Sequence, residues 1–189
     1  MTRWLHGLFL RFYRRLPTGL RRFVVRRSTP SFSVGSICVI QRDDGAILLV
    51  RLLYRARWGF PGGLLKRREH AVEAARREAL EETGLDIQVA AAPAVVVAPG
   101  PRRVDVVYRC RLSEGCDPDS VRPESPEVVE ARWFRPDELP ELQHEASQAL
   151  MALGRGDAQL ARHLGLRRDG WHSGPRRTAN RGSPIDRRS

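Results

Sequence analysis

The 189-residue sequence has little lysine, few cysteines and no long apolar run. Lys66 is the single lysine among 33 basic residues, and a GC-rich coding genome explains this more simply than selection for bidentate phosphate binding. Three cysteines, Cys38, Cys110 and Cys116, are an odd number without metal-ligand spacing. The cysteine pattern therefore does not suggest a disulfide framework, and a reducing compartment is the default expectation.

The sequence also lacks the features of membrane and secreted proteins. No apolar segment approaches the roughly 18–20 residues that a bilayer-spanning helix needs. Near the N-terminus, Arg11, Arg14 and Arg15 follow only a short apolar stretch, without a small-residue cleavage site, which is not the pattern of a signal peptide. We therefore expect a cytoplasmic protein.

Positive charge is concentrated at the two ends of the chain. The formal net charge is +11, yet residues 1–30 hold eight arginines and no acidic residue, and residues 164–189 hold seven arginines against two aspartates. The part between them is close to neutral. We expect a basic amphipathic helical extension over 1–30, one folded domain over 31–166, and a disordered arginine-rich tail over 167–189.

The pattern of apolar residues and turn signals predicts alternating strands and helices. Strands are expected at Ser33–Ile40 and at Ala46–Leu52, joined as a hairpin through 43–45. A helix is expected over His70–Thr83, with Gly84 as its left-handed C-terminal cap. Further along, the sequence predicts strands at Ile87–Ala98, Val104–Leu112 and Val128–Phe134, and a last helix that begins at Pro136 and continues to about Leu166.

Three glutamates of the predicted helix are brought together by its periodicity. With 3.6 residues per turn, Glu78, Glu81 and Glu82 point in similar directions. Like charges four residues apart destabilise a helix by roughly 0.2–0.5 kcal/mol per pair, and a hard divalent cation with oxygen ligands reverses that effect. The alternative is a solvated helix face with ordinary salt bridges.

The segment Gly63–Leu85 resembles the signature box of the Nudix hydrolases. Gly63 is followed after five residues by Glu69, and after seven more by the run Arg77 to Leu85, which reads REALEETGL. Ala79 stands where a larger aliphatic residue is more usual, a departure that concerns packing. The preceding Trp58–Gly62 also matches the family's approach to the box.

This resemblance implies a fold and an activity. The expected fold is an α/β/α sandwich with a mixed β-sheet. The expected activity is hydrolysis of a nucleoside diphosphate linked to another group, with Mg²⁺ or Mn²⁺ as the cofactor.

The resemblance also implies roles for particular residues. Arg77 would orient the ligand helix, and the general base would be a box glutamate such as Glu81 or a downstream carboxylate, for which Glu127 is preferred to Glu124 and Glu130. The expected metal ligands are Gly62 through its carbonyl oxygen, Glu78, Glu81 and Glu82, and also Glu69 unless it anchors Arg77.

Three further residues are candidates for substrate contact. Arg51 and Arg57 flank the box and could reach substrate phosphates, although ordinary surface arginines are an equal alternative. Trp58 could stack on a base, but packing in the core or a turn is the stronger alternative.

The substrate and partners are less determined than the reaction class. Pro101, sixteen residues beyond Leu85, resembles a proline of the ADP-ribose-cleaving subgroup, whereas a nucleoside triphosphate pyrophosphatase that sanitises the nucleotide pool is nearly as well supported. An enzyme acting on RNA 5′ ends and a non-catalytic regulatory nucleotide-binding domain are the remaining alternatives. The apolar stripe over residues 3–16 favours docking on its own domain over weak membrane contact or nucleic-acid binding. We expect no specific nucleic-acid binding, and a homodimer stays open.

Overall fold

A computed structural model describes residues 16–156. The helices are α1 (Thr18–Ser28), α2 (Ala71–Thr83) and α3 (His144–Gly156), and a short 3₁₀ turn covers Pro118–Ser120. The strands are β1 (Ser33–Ile40), β2 (Ile47–Leu52), β3 (Gly62–Leu64), β4 (Ile87–Val89), β5 (Ala94–Ala98), β6 (Arg103–Leu112) and β7 (Val128–Phe134).

The main sheet is mixed, as expected for the fold class. At its centre the whole of β1 runs parallel to residues 103–110 of β6, and β3 pairs antiparallel with the other edge of β1. The far edge of β6 is shared by β5 and β4, both antiparallel. The order is therefore β3, β1, β6 and then β4 with β5.

Helices cover both faces of this sheet. Side chains alternate along β1, so that Ile37 and Val39 join a buried cluster with α3, while Cys38 and Ile40 join another with α2. The same alternation places Val107 in the first cluster and Tyr108 in the second. The predicted α/β/α sandwich is confirmed by this layering.

The predicted hairpin is only partly correct. Its turn is present, because the Arg42 N–H donates to the Ala46 carbonyl oxygen at 2.9 Å and Gln41 pairs with Ile47. Beyond that bridge β2 leaves β1 and pairs antiparallel with β7 in a separate two-stranded sheet. The partner of β2 is therefore a strand more than seventy residues away, which local turn signals cannot reveal.

Two other predicted elements differ from the structure. The long strand expected over Ile87–Ala98 is two short strands separated at residues 90–93, because β4 and β5 pair with different parts of β6. The helix expected at Pro136 begins instead at His144, and residues 136–138 form a turn. The predictions for residues 3–15 and for the tail over 167–189 lie outside the described residues.

Two of the three cysteines lie in the hydrophobic core. Cys38 and Cys110 are buried free thiols, and the Cys38 thiol donates to the Ala75 carbonyl oxygen at 3.1 Å. Both side chains pack in the cluster with α2. Within residues 16–156, no helix is both long and apolar enough to cross a bilayer.

Candidate active site

A cleft of about 540 Å³ opens where α2, β3, the segment after β2 and the start of α3 meet. Its acidic lining residues are Glu78, Glu81, Glu82, Glu127 and Glu145. Two cationic side chains, Arg55 and Arg103, also line it. The cleft is thus strongly acidic along α2 and carries positive charge elsewhere.

Helix α2 is built to present its acidic face to this cleft. Its sheet-facing side is made of the buried alanines Ala74, Ala75 and Ala79, whose small side chains let the helix lie close to the sheet. Glu78 and Glu82 project from this same side toward the cleft. The helix ends at Gly84, which has φ 71° and donates its N–H to the Leu80 carbonyl oxygen at 3.0 Å. Ala79, the unusual box position, is fully buried in this contact.

Arg77 ties the box together. Its Nε and Nη2 donate to the two carboxylate oxygens of Glu69 at 2.7 and 3.0 Å, and its Nη1 donates to Glu78 at 2.7 Å and to Glu81 at 3.0 Å. Nη2 also donates to the Leu64 carbonyl oxygen at 3.3 Å. The structure therefore pairs Glu69 with Arg77, the anchoring alternative of the sequence analysis.

These ion pairs shift the acidities of the box. The hydrogen bond from Arg77, assisted by the Lys66 N–H, lowers the pKa of Glu69 to about 2. Burial acts to raise the pKa of Glu81, but hydrogen bonds from Arg77 and Lys66 outweigh it and lower that pKa overall. Both carboxylates are therefore anions at neutral pH.

Glu82 has the opposite electrostatic environment. Burial, reinforced by the negative charges of Glu78, Glu127 and Glu81, raises its pKa to about 8, although the Gly62 N–H donates to it at 3.0 Å. No arginine pairs with Glu82 among the described residues. Repulsion between like charges in a confined space is what a bound cation would relieve.

The two glycines before α2 permit close approach. A Cβ on Gly63 would overlap the Glu78 carboxylate, and a Cβ on Gly62 would overlap the Ser36 carbonyl oxygen of the neighbouring strand. Gly62 also has φ 155°, a conformation that other residues rarely adopt. The glycine turn therefore lets Glu78 lie directly against the strand β3.

Of the three downstream carboxylates, only Glu127 lines the cleft. Its Oε2 accepts a hydrogen bond from the Tyr54 hydroxyl at 3.1 Å. Glu130 instead pairs with Arg51 and Arg132, and Glu124 pairs with Arg122. The geometry therefore favours Glu127 over the two alternatives.

The carboxylate oxygens of the cleft suit a hard divalent cation, but their side chains are not yet arranged around a single point. Within residues 16–156, no three Asp, Glu, His or Cys side chains converge tightly enough to form a ready coordination site. Arg77 already holds oxygens of Glu78 and Glu81. All the candidate donors are oxygens, as Mg²⁺ and Mn²⁺ prefer, so an ion could bind after modest rotation of these carboxylates.

Three predicted substrate contacts lie away from the cleft. Arg51 pairs with Glu130 at 2.8 Å, because it points to the opposite side from its cleft-lining neighbours on β2. Arg57 pairs with Glu141 at 2.6 Å. Trp58 packs edge-on against Phe134, with centroids 4.8 Å apart, beside the first core cluster.

Other residues of the cleft carry no local sequence signal. Tyr54, Arg55, Arg103, Gln143 and Glu145 lie on three distant segments, and only the tertiary fold brings them together. Arg103 and Asp105 do show the spacing of two, which puts both side chains on one face of a strand. That spacing is the one sequence signal that could have shown that Arg103 and Asp105 lie side by side.

The three-layer sandwich and its glutamate-lined cleft define the class of protein, a hydrolase of phosphoric anhydride bonds. A profile of the NUDIX domain matches residues 32–153. A MutT-like protein of Streptomyces ambofaciens is 32% identical over 140 residues, which span 73% of this chain and 88% of that protein. The chain belongs to the Nudix hydrolase family.

Solved structures of this family resemble the fold. A MutT Nudix hydrolase from Burkholderia pseudomallei has 29% identity and a TM-score of 0.54, over 66% of this chain and 99% of that one. An ADP-ribose pyrophosphatase from Streptococcus suis has 26% identity and a TM-score of 0.52, over 74% of this chain and 96% of that one.

Proposed function

We propose that this Nudix hydrolase uses Mg²⁺ or Mn²⁺ to hydrolyse a nucleoside diphosphate linked to another group, with ADP-ribose or another nucleotide sugar as the leading substrate. The observation that carries the proposal is the set of four carboxylates, Glu78, Glu81, Glu82 and Glu127, lining one cleft. Such a concentration of negative charge would repel an anionic substrate unless cations were bound there.

Glu78, Glu81 and Glu82 would hold the metal, together with the carbonyl oxygen of Gly62. When bound, a divalent ion neutralises phosphate charge and lowers the pKa of a coordinated water. Arg77 acts through the glutamates, because its guanidinium fixes Glu69, Glu78 and Glu81 at 2.7–3.0 Å. It is a positioning residue, and Glu69 fixes Arg77 in turn.

Glu127 is our candidate for the general base. It lines the cleft from the loop before β7, and one of its oxygens accepts a hydrogen bond from the Tyr54 hydroxyl. Its other oxygen, Oε1, could accept a proton from an attacking water. Glu81 stays the alternative base from within the box.

The choice of ADP-ribose is supported by two observations. The position of Pro101 resembles that of the ADP-ribose-cleaving subgroup, and a structural neighbour with 26% identity is an ADP-ribose pyrophosphatase. The alternative, pyrophosphate release from a nucleoside triphosphate, is supported by the 32% identity to a MutT-like protein. Cytoplasmic location and a homodimer stay predictions.

The test is a panel of nucleotide sugars, dinucleotides and nucleoside triphosphates, assayed with Mg²⁺ and with Mn²⁺. AMP release from ADP-ribose would support the leading substrate, and pyrophosphate release from a triphosphate would support the alternative. Glu78→Gln and Glu82→Gln should each lower kcat at least about 100-fold, the scale for losing one preorganised electrostatic group. Glu114→Gln, an exposed loop variant outside the cleft, is the matched control.

Two results would contradict the proposal. Metal-dependent turnover that survives in both glutamine variants would remove the metal assignment. Silence of the wild-type protein across the whole panel, with nucleotide binding retained, would instead support a non-catalytic regulatory domain.

A further inference from the structure

An ion pair on β6 stands at the cleft, apart from the box. Nε of Arg103 donates to both carboxylate oxygens of Asp105, at 2.7 and 2.9 Å. The Asp105 side chain is only 4% exposed, whereas that of Arg103 is 33% exposed and lines the cleft. A buried carboxylate is costly unless it is paired, so Asp105 holds Arg103 firmly in place.

The neighbouring strand makes room for this pair. Gly35 on β1 is the register partner of Asp105, and a Cβ there would overlap the Asp105 carboxylate and stand 2.8 Å from Nη2 of Arg103. A larger residue at position 35 would displace both side chains. The glycine, the buried aspartate and the arginine therefore form one arrangement, although they lie far apart in sequence.

This arrangement adjoins the acidic site. The Gly63 carbonyl oxygen lies 3.3 Å from the place where a Gly35 Cβ would stand, so Arg103 and Gly63 approach the same small volume. Gly63 in turn lies beneath the Glu78 carboxylate. Arg103 is therefore a close neighbour of the proposed metal site, yet its partner is Asp105 and not a glutamate of the box.

The guanidinium is left with donors for a ligand. Asp105 takes only the Nε–H, and no second carboxylate pairs with Arg103 among the described residues. Its four terminal N–H groups match the oxygens of a phosphate in a planar, two-point geometry. The other cationic side chain of the cleft, Arg55, is exposed and has no comparable tether in the described structure.

We propose that Arg103, positioned by Asp105 and by the space at Gly35, binds a phosphate group of the nucleotide substrate beside the metal site. This deepens the proposed function and rests on it. The acidic helix alone offers a phosphate nothing but repulsion until a cation is bound. Arg103 supplies a permanent positive charge at the same opening, so one phosphate can be held by the protein itself.

The test compares binding of ADP with binding of adenosine, by calorimetry in EDTA so that no turnover occurs. The main variant is Arg103→Gln combined with Asp105→Asn, because the double change leaves no unpaired buried carboxylate. ADP affinity should fall about 10- to 100-fold, the range for a charged hydrogen-bonded contact, and adenosine affinity should not change. In the Mg²⁺ assay, KM should rise with kcat largely retained.

Controls separate this role from a structural one. Arg111→Gln removes an exposed arginine of the same strand and should leave both affinities unchanged. Arg103→Lys keeps the charge and the pairing with Asp105 but loses the planar fork, so it should lose part of the ADP affinity. This variant decides the question alone if the double variant does not fold.

Several outcomes would overturn the inference. These are ADP affinity equal to wild type in every folded Arg103 variant, an equal loss for adenosine, a fall in kcat without a change in KM, or no ADP binding by the wild-type protein with or without Mg²⁺. Loss of ADP binding at Arg103 in a protein that hydrolyses no member of the substrate panel would support the phosphate site while contradicting the proposed reaction.

Discussion

Glu82 is a cleft residue whose environment opposes stability. Its carboxylate is held among Glu78, Glu81 and Glu127, and burial together with these charges raises its pKa to about 8. Glu69, on the same loop-and-helix unit, has a pKa of about 2 because Arg77 pairs with it. The two glutamates differ because Glu69 has an arginine partner, whereas Glu82 is buried among carboxylates with one backbone N–H donor, that of Gly62.

This contrast predicts that Glu82→Gln stabilises the metal-free protein at alkaline pH. The folded-state pKa lies above the ordinary value of 4.5, so the folded protein binds more protons than the unfolded chain between these values, and stability falls as pH rises through about 8. Glutamine mimics the protonated form. One pKa unit corresponds to about 1.4 kcal/mol, so the variant should gain a few kcal/mol at pH 9 and almost nothing near pH 4.5. Urea unfolding in EDTA at both pH values measures this.

Glu81→Gln is the matched control for that experiment. Glu81 is one residue away but pairs with Arg77 and Lys66, which lower its pKa. Its neutralisation should therefore give no gain at pH 9. A gain of equal size in both variants would show that general helix repulsion, and not the crowding of Glu82, is responsible.

At the scale of residues, the sequence predicts positions correctly where the pattern is local. Glu78, Glu81 and Glu82 lie on one helix, so helical periodicity alone places them together. Arg51 and Arg57 could not be placed this way, since a strand residue faces one of two sides and its partner lies on a distant element. Arg103 reaches the cleft only because β6 lies beside β1, a pairing that no short pattern encodes.

At the scale of elements, α2 depends on how it ends. The left-handed conformation of Gly84, with φ 71°, turns the chain into the buried residue Leu85 and β4. The first turn is fixed by Glu73, whose carboxylate accepts from the His70 N–H at 3.0 Å. The position of Glu78, Glu81 and Glu82 at the cleft therefore depends on the caps of α2 as well as on its packing.

Gly84→Ala should destabilise the protein by about 1 kcal/mol, because alanine pays a steric cost in the left-handed conformation. Gly100→Ala is the control, since that glycine has open space around it and no positive φ. It should be neutral or slightly stabilising. Thermal unfolding of both variants measures the difference, and equal melting temperatures would contradict the role given to the cap.

A helix or strand could be predicted from the sequence where nearby residues specify it, and not where a distant pairing partner does. The helix expected over His70–Thr83 agrees with α2 within one residue, because its apolar spacing and the glycine cap that follows it are local signals. The single strand expected over Ile87–Ala98 was wrong, since residues 90–93 are where pairing moves from one part of β6 to another. The pairing of β2 with β7 was also missed, because the two strands are more than seventy residues apart in the sequence.

At the scale of the whole molecule, one sheet separates two cores that serve different parts of the cleft. The cluster with α2 supports the acidic helix, and the cluster with α3 supports Gln143 and Glu145 at the other wall. Strand β2 contributes to both, because Leu48 packs in the cluster with α2 and Leu49 packs in the cluster with α3. The cleft therefore depends on both layers at once.

This layering predicts that Leu48→Ala and Leu49→Ala are similarly damaging although the residues are adjacent. Both side chains are fully buried, on opposite faces, and each truncation should cost about 2–5 kcal/mol of unfolding free energy. Leu53→Ala, at a position 72% exposed, should cost less than about 0.5 kcal/mol. Urea denaturation of the three variants provides the measurement. If either Leu48→Ala or Leu49→Ala matched the Leu53 control, one face of β2 would be uncovered and the two-core architecture would be wrong.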